Sequence, residues 1–154
     1  MTSTSPQTAT RGRDTVVQVA DMKVATGPSG RVVTYALGSC IGLVADDPTL
    51  KLGGMLHFML PQPGKLDAGK SDRVHMFAST GIPELLSAME QKGAVRHRIK
   101  LVAAGGAEVS DDSGRFASGS RNRTMLRKLL WKENLRLEAE DTGGKSARTL
   151  MLDL

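Results

Sequence analysis

Apolar residues in the first 60 positions occur in short runs that are separated by glycine, proline and aspartate. Runs of this length, with many β-branched residues and with turn-forming residues between them, are typical of β-strands. The strands predicted in this part of the chain are 15–20, 22–25, 31–37, 40–45 and 52–60. The pattern therefore predicts that the chain begins with consecutive strands.

The hydrophobic period changes after the polar, proline- and glycine-rich segment 61–72, which we interpret as a loop. Apolar residues then recur at helical spacing, and this predicts one amphipathic helix that Ser79 or Thr80 caps and Gly93 ends, and a second helix over 122–133. The two helical stripes are Ile82, Leu85, Leu86 and Met89, and Met125, Leu126, Leu129 and Leu130. Further strands are predicted at 98–103, 136–140 and 149–154. The expected fold class is α/β (α+β-like): mixed β-sheet layers with two main helices packed on them in a single domain.

Length and composition fit one globular domain over residues 15–154 of the 154. Residues 1–14 contain no apolar run, so we expect a disordered tail and no signal peptide. No stretch approaches the roughly 18 apolar residues of a membrane span. We therefore expect a cytoplasmic protein that does not insert into a membrane.

The chain is basic, with 21 Lys and Arg against 16 Asp and Glu, a formal charge of +5. The positive residues are dispersed, so an ordinary solvated surface is the preferred interpretation and an acidic protein partner the second. Nucleic acid comes third, because the chain has only three Phe, one Tyr and one Trp to stack on bases. We expect Trp131 to pack on the second helix with its indole N–H partly in water.

The segment ALGSCIG holds the only cysteine, Cys40. Residues 46–50 predict a turn between two strands, and a turn centred between Pro48 and Thr49 pairs residues whose numbers sum to 97. This register places His57 directly opposite Cys40, with Cβ atoms about 4.5–5.5 Å apart. A thiol with a pKa of about 8.5 is mostly protonated at neutral pH. An adjacent imidazole would remove that proton and return it to a leaving group.

The residues around Cys40 also suit a nucleophilic site. Gly38 permits an unusual backbone conformation, so the N–H groups of Gly38 and Ser39 are candidates to bind a developing oxyanion. Thr34 is placed to orient the imidazole or to bind the substrate. The alternative is a buried structural cysteine beside a histidine in the sheet, and spacing alone favours this alternative because free cysteine is among the most buried residue types.

A series of motifs in fixed order favours a catalytic cysteine over a structural one. They are Thr34, Leu37-Gly38-Ser39-Cys40, Asp47-Pro48, Gly53-Gly54-Met55, His57, Leu60-Pro61, Gly93-Ala94, Gly105-Gly106-Ala107, Gly119-x-Arg121-Asn122, Asp141-Thr142-Gly143-Gly144 and Arg148. Over residues 14–154 the sequence resembles the CheD family of chemoreceptor glutamine deamidases. One departure is Ser79, at a position where the family usually has aspartate.

The resemblance implies a protein-glutamine glutaminase that converts glutamine side chains of methyl-accepting chemoreceptors to glutamate and releases ammonia through a cysteine thioester. It implies Cys40 as nucleophile, His57 as general base and acid, and Thr34 as third member, with no metal ion or cofactor. It also implies a CheC-type phosphatase as a second partner. The rival hypothesis is a catalytically weak, CheD-like module that docks on chemoreceptors or on such a phosphatase.

Overall fold

The computed structural model describes residues 14–64, 73–108 and 118–154. Most of the predicted loop 61–72 and all of the predicted tail except Asp14, which begins a strand, lie outside these ranges. The strands are β1 (Asp14–Val16), β2 (Asp21–Thr26), β3 (Arg31–Leu37), β4 (Ile41–Asp47), β5 (Leu52–Phe58), β6 (Lys100–Gly105), β7 (Leu137–Thr142) and β8 (Arg148–Asp153). The α-helices are α1 (Ala78–Gln91) and α2 (Ser118–Lys132).

The strands form two mixed sheets. The smaller sheet has the order β1-β3-β8, and the larger has the order β2-β5-β4-β6-β7. The β1–β3 and β6–β7 pairs are parallel and the other pairs are antiparallel. Mixed sheets with two helices confirm the predicted fold class.

The larger sheet is the middle layer, because both of its faces are buried. Alternate residues of β4 point to opposite faces. Ile41 and Leu43 belong to the core shared with the helices, and Val44 belongs to a second core with Val32 of the smaller sheet. This burial on both sides explains why β4 and β5 are nearly continuous apolar runs in the sequence.

The hairpin register that we predicted between β4 and β5 is wrong by two residues. The observed partners sum to 99, and Gly42 rather than Cys40 lies opposite His57. The turn is centred one residue later because Asp47 belongs to β4: its buried carboxylate binds the Arg98 guanidinium at 2.9 and 3.2 Å. Since side chains alternate with a period of two, an error of two residues does not change the face of the sheet.

Two local predictions about the first strand and the first helix are also corrected. The run 15–20 is a strand only as far as Val16; the chain then crosses to the larger sheet, where the Ala20 N–H donates to the His57 carbonyl. Helix α1 begins after Phe77 with no side-chain cap. Carbonyl groups of the segment after β5 replace that cap, because Leu60 O and Pro61 O accept from the first helical N–H groups at 2.9 and 3.0 Å.

Trp131 was expected to pack against the protein, but its side chain is 83% exposed. It lies on the face of α2 that points away from the larger sheet. The buried residues of α2 are Gly119, Asn122, Leu126 and Leu130. Their spacing places Trp131 one residue past the buried stripe, and this explains its exposure.

Candidate active site

His57 and Thr34 meet between the two sheets. His57 is on β5 and Thr34 is on β3, and the side chains are 1% and 0% exposed. The Thr34 Oγ1 lies 2.8 Å from the His57 Nδ1. Two sheets packed face to face therefore bring together two of the three residues that the family resemblance predicts.

The hydrogen bonds of Thr34 determine which nitrogen of the imidazole carries the proton. The Thr34 hydroxyl donates its single hydrogen to the Val17 carbonyl at 2.7 Å. It must then accept from His57, so Nδ1 carries the proton and Nε2 holds a lone pair. Among the described residues, the buried Nε2 has no hydrogen-bond partner. The neutral imidazole is thus oriented with its basic nitrogen available.

Cys40 lies in the turn between β3 and β4 and is half-buried. The Gly106 N–H donates to the Cys40 carbonyl at 2.8 Å, and the Ala107 N–H donates to the Gly38 carbonyl at 2.8 Å. A Cβ at Gly105 would overlap the Cys40 carbonyl oxygen, and the φ angle of Gly105 is +109°. The loop after β6 therefore packs directly against the turn that holds the thiol, and this packing requires glycine.

Cys40 lies in the turn just before β4, close in sequence to the residue that pairs with His57. His57 lies opposite Gly42, and Cys40 precedes Gly42 by two residues. Gly42 has no side chain, and a Cβ there would lie 3.2 Å from the Thr34 methyl group. The absence of a side chain at Gly42 therefore lets the side chains of Leu150, Leu37 and Thr34 pack closely over β4.

The hydrogen bonds of the turn show which of the two predicted oxyanion donors, the N–H groups of Gly38 and Ser39, is available. The Gly38 N–H already donates to the Ala36 carbonyl at 3.1 Å. The Ser39 N–H has no hydrogen-bond acceptor among residues 14–64, 73–108 and 118–154. Of the two predicted donors, Ser39 is therefore the one whose hydrogen is available.

Burial determines the charge state of the site. It lowers the pKa of His57, and the nearby carboxylate of Asp21 offsets only part of this effect. Asp21 lies directly opposite His57 in the β2–β5 pair. Burial raises the pKa of the Cys40 thiol, partly offset by a hydrogen bond from its own backbone N–H. Near neutral pH the resting site therefore holds a neutral thiol and a neutral imidazole.

Asn122 is a site residue to which the sequence analysis gave no role. It is fully buried on α2, and its Nδ2 donates to the carbonyls of Ser39 and Met59 at 2.9 and 2.8 Å. A signal was present in the pattern: Asn122 precedes the buried Leu126 and Leu130 by four and eight residues. A polar side chain on the buried stripe of a helix needs a hydrogen-bond partner, and these partners are tertiary.

No group of three or more His, Cys, Asp or Glu residues in the described part of the chain is arranged to hold a metal ion. None of the helices formed by the described residues is long and apolar enough to cross a membrane.

Comparison with known proteins gives consistent matches. A family model described as CheD chemotactic sensory transduction matches residues 59–154. A "Probable chemoreceptor glutamine deamidase CheD" from Solibacter usitatus is 45% identical, over 90% of this chain and 82% of the relative. One from Syntrophus aciditrophicus is 42% identical over 92% and 88% of the two chains, and one from Anaeromyxobacter dehalogenans is 39% identical over 90% and 87%.

Proposed function

The chain belongs to the CheD family, and on that basis we propose that it is a protein-glutamine deamidase in which Cys40 is the nucleophile. The proposed substrates are glutamine side chains on the cytoplasmic parts of methyl-accepting chemoreceptors, and the proposed location is the cytoplasm. Relatives of 39–45% identity are named as probable chemoreceptor glutamine deamidases, which supports this substrate.

One observation supports the chemistry most strongly. The Thr34 hydroxyl donates to Val17 and lies 2.8 Å from the His57 Nδ1, while the buried Nε2 has no partner among the described residues. A structural histidine would be expected to satisfy both ring nitrogens when buried. An oriented imidazole with a free basic nitrogen is instead the arrangement that general-base catalysis requires, and the proposed nucleophile Cys40 is two residues from Gly42, which lies opposite His57.

The reaction would proceed in two halves. The Cys40 sulfur attacks the carboxamide carbon as its proton passes to the His57 Nε2, and the oxygen acquires negative charge. The Ser39 N–H is the proposed donor to this oxyanion. The imidazolium then protonates the nitrogen, the C–N bond breaks, and ammonia leaves a thioester on Cys40. Water attacks the thioester with His57 as base, and the products are glutamate and the free thiol.

Burial disfavours the charged forms of both Cys40 and His57, and this explains why the thiol needs the imidazole as a base. Because burial raises the pKa of Cys40, little thiolate exists before the substrate binds. Because burial lowers the pKa of His57, the imidazole is neutral and able to accept the proton. Proton transfer accompanying attack on the carbonyl carbon avoids an isolated buried thiolate.

The raised pKa of Cys40 is also the observation that favours the second candidate, a docking module with little catalysis. In that case the protein would bind chemoreceptors, or a CheC-type phosphatase, without hydrolysing glutamine. The two functions share the fold and the surface and differ only in the chemistry at Cys40.

Ammonia release separates the two candidates. We expect the full chain, incubated with a chemoreceptor cytoplasmic fragment, to release ammonia in proportion to the glutamine lost, and we expect Cys40→Ala to release none while still binding the fragment. Binding of the fragment by both proteins with no ammonia from either would support the docking module and reject the deamidase. The Thr124→Ala variant, on the exposed face of α2, is the control for a substitution outside the site.

A further inference from the structure

Asn122 joins the two chain segments that present the proposed nucleophile and base. The two Nδ2 hydrogens of an asparagine amide suffice for two acceptors. In Asn122 they serve the Ser39 carbonyl at 2.9 Å and the Met59 carbonyl at 2.8 Å. Ser39 immediately precedes Cys40, and Met59 follows His57 by two residues. The amide group of Asn122 therefore links the turn that contains Cys40 to the residue that follows β5, the strand that contains His57.

The other hydrogen bonds of the turn do not make this link. Gly106 and Ala107 hold the carbonyls of Cys40 and Gly38 from the loop after β6. Both bonds fix the turn relative to β6, which lies on the opposite side of β4 from β5. The Asn122 amide is placed where it fixes the turn relative to β5.

The hydrogen bonding of Asn122 is unusual for a residue that only fills space. Its side chain is fully buried, and its Oδ1 has no partner among the described residues. A buried polar atom without a partner lowers the stability of the fold. An apolar side chain on the buried stripe of α2 would avoid that cost, as Leu126 and Leu130 do one and two turns later.

We propose that Asn122 is a positioning residue, which sets the distance and orientation between the Cys40 thiol and the His57 imidazole through the Ser39 and Met59 carbonyls. This inference rests on the proposed function, because it assigns Asn122 to the same site. The requirement is for a double donor of this length. Aspartate has the same shape but its carboxylate only accepts, and leucine has neither donor nor acceptor.

The test is a comparison of Asn122→Ala with wild type in steady-state deamidation of a chemoreceptor fragment. A positioning residue acts on the reacting atoms and does not hold the substrate, so we expect kcat to fall about 10- to 100-fold while KM changes less than about twofold. Asn122→Leu keeps a side chain of similar size but has no donor, so it should lose kcat as Asn122→Ala does. Thr124→Ala, on the exposed face of the same helix, is the control and should resemble wild type. Equal kcat in wild type and Asn122→Ala would overturn the proposal, and so would a change confined to KM.

A second measurement keeps this test independent of the proposed function. The rate of Cys40 alkylation against pH reports the surroundings of the thiol whether or not the protein is a deamidase. Loss of the Asn122 amide should loosen the turn and shift the alkylation midpoint of folded Asn122→Ala towards the ordinary thiol value of about 8.5. If wild type releases no ammonia, the proposed function fails, and an unchanged alkylation profile would then reject the positioning role as well. Should Asn122→Ala fail to fold, both measurements apply to Asn122→Leu, whose side chain suits the buried stripe of α2.

Discussion

At the scale of single residues, the site depends on the number of hydrogens that each buried group can donate. Thr34 has one hydroxyl hydrogen and gives it to Val17 at 2.7 Å, so the contact with His57 is one in which Thr34 accepts. That arrangement determines the tautomer of His57 without any charged partner for Nδ1. The group beside the imidazole here is a hydroxyl that donates to a main-chain carbonyl, whereas in the Ser-His-Asp triad it is a carboxylate.

Thr34→Val tests this orienting role, because valine has the shape of threonine and lacks the hydroxyl. We expect kcat to fall about 10- to 100-fold, since the imidazole loses the acceptor that fixes its orientation and tautomer. The Val17 carbonyl and the His57 Nδ1–H would also remain without partners, at a cost in unfolding free energy of roughly 1–3 kcal/mol each. Deamidation kinetics and urea unfolding measure the two effects. Thr34→Ser retains the hydroxyl and is the matched control; equal activities of the valine and serine variants would contradict the role.

We expect the pKa of His57 to determine how the rate of deamidation falls at acidic pH. The general base must be neutral, and burial lowers its pKa, so the rate should fall on acidification with a midpoint below the ordinary histidine value of about 6.5. The Asp21 carboxylate raises the pKa of His57, so Asp21→Asn should move the midpoint to still lower pH. Lys23, which pairs with Asp21 at 2.7 Å, would lose its partner and act in the same direction.

Initial rates against pH for wild type and Asp21→Asn provide this measurement. An acid limb with a midpoint at or above about 6.5 would contradict the assignment of a buried neutral base. A shift of the midpoint to higher pH in Asp21→Asn would show that the carboxylate does not act on His57.

At the scale of secondary-structure elements, the sequence predicted most strands and both helices because their hydrophobic periods are strong. The centre of the β4–β5 hairpin and the hydrogen bonds at the start of α1 were harder to predict. The hairpin centre depends on Asp47, whose partner Arg98 is 51 residues away, and the start of α1 is satisfied by Leu60 and Pro61 in place of a side-chain cap. Both errors concern polar groups whose partners are tertiary, and local propensity carries no information on such partners.

The end of β6 supports the turn that holds Cys40, and a comparison of two glycines tests this support. Gly105 and Gly93 have φ angles of +109° and +104°, but only at Gly105 would a Cβ overlap a backbone atom, the Cys40 carbonyl oxygen. At Gly93 the nearest atom is a Leu50 methyl group at 3.5 Å, an ordinary contact.

We therefore expect Gly93→Ala to cost about 1–3 kcal/mol of unfolding free energy, from backbone strain, and to leave deamidation unchanged. Gly105→Ala carries the same strain and also displaces the Cys40 carbonyl, so it should be less stable by a further roughly 1–3 kcal/mol and lose most of its activity. Urea unfolding and deamidation rates measure both. Equal losses in the two variants would show that contact with the Cys40 turn is unimportant.

At the scale of the whole molecule, the site exists because two sheets pack face to face. Thr34 comes from the smaller sheet, His57 from the larger, Cys40 from the turn between strands of the two sheets, and Asn122 from a helix. Register counting gave the wrong residue opposite His57, Cys40 in place of Gly42. It had no means of placing Thr34, because contact between sheets leaves no short-range pattern in the sequence. Thr34 was named as a candidate because it lies before the turn, and the family motifs made it the third member of the site; neither they nor the periodicity gave Asn122 a role.

The net charge of +5 fits an ordinary solvated surface, which is the preferred interpretation, and is also compatible with an acidic protein partner. Charge of this kind affects the rate of encounter more than it affects the chemistry. The central claim is therefore best tested at the modified side chain of the partner and not by the strength of binding.

The most direct test is the mass of a chemoreceptor cytoplasmic fragment after incubation with wild type or with Cys40→Ala. Replacement of NH₂ by OH adds about 1 Da per glutamine, through the thioester on Cys40. We predict integral steps of this size at a small number of glutamines with wild type, mapped by peptide fragmentation, and no step with Cys40→Ala. Steps of the same extent with Cys40→Ala, or no step with either protein under conditions where both bind the fragment, would contradict the account.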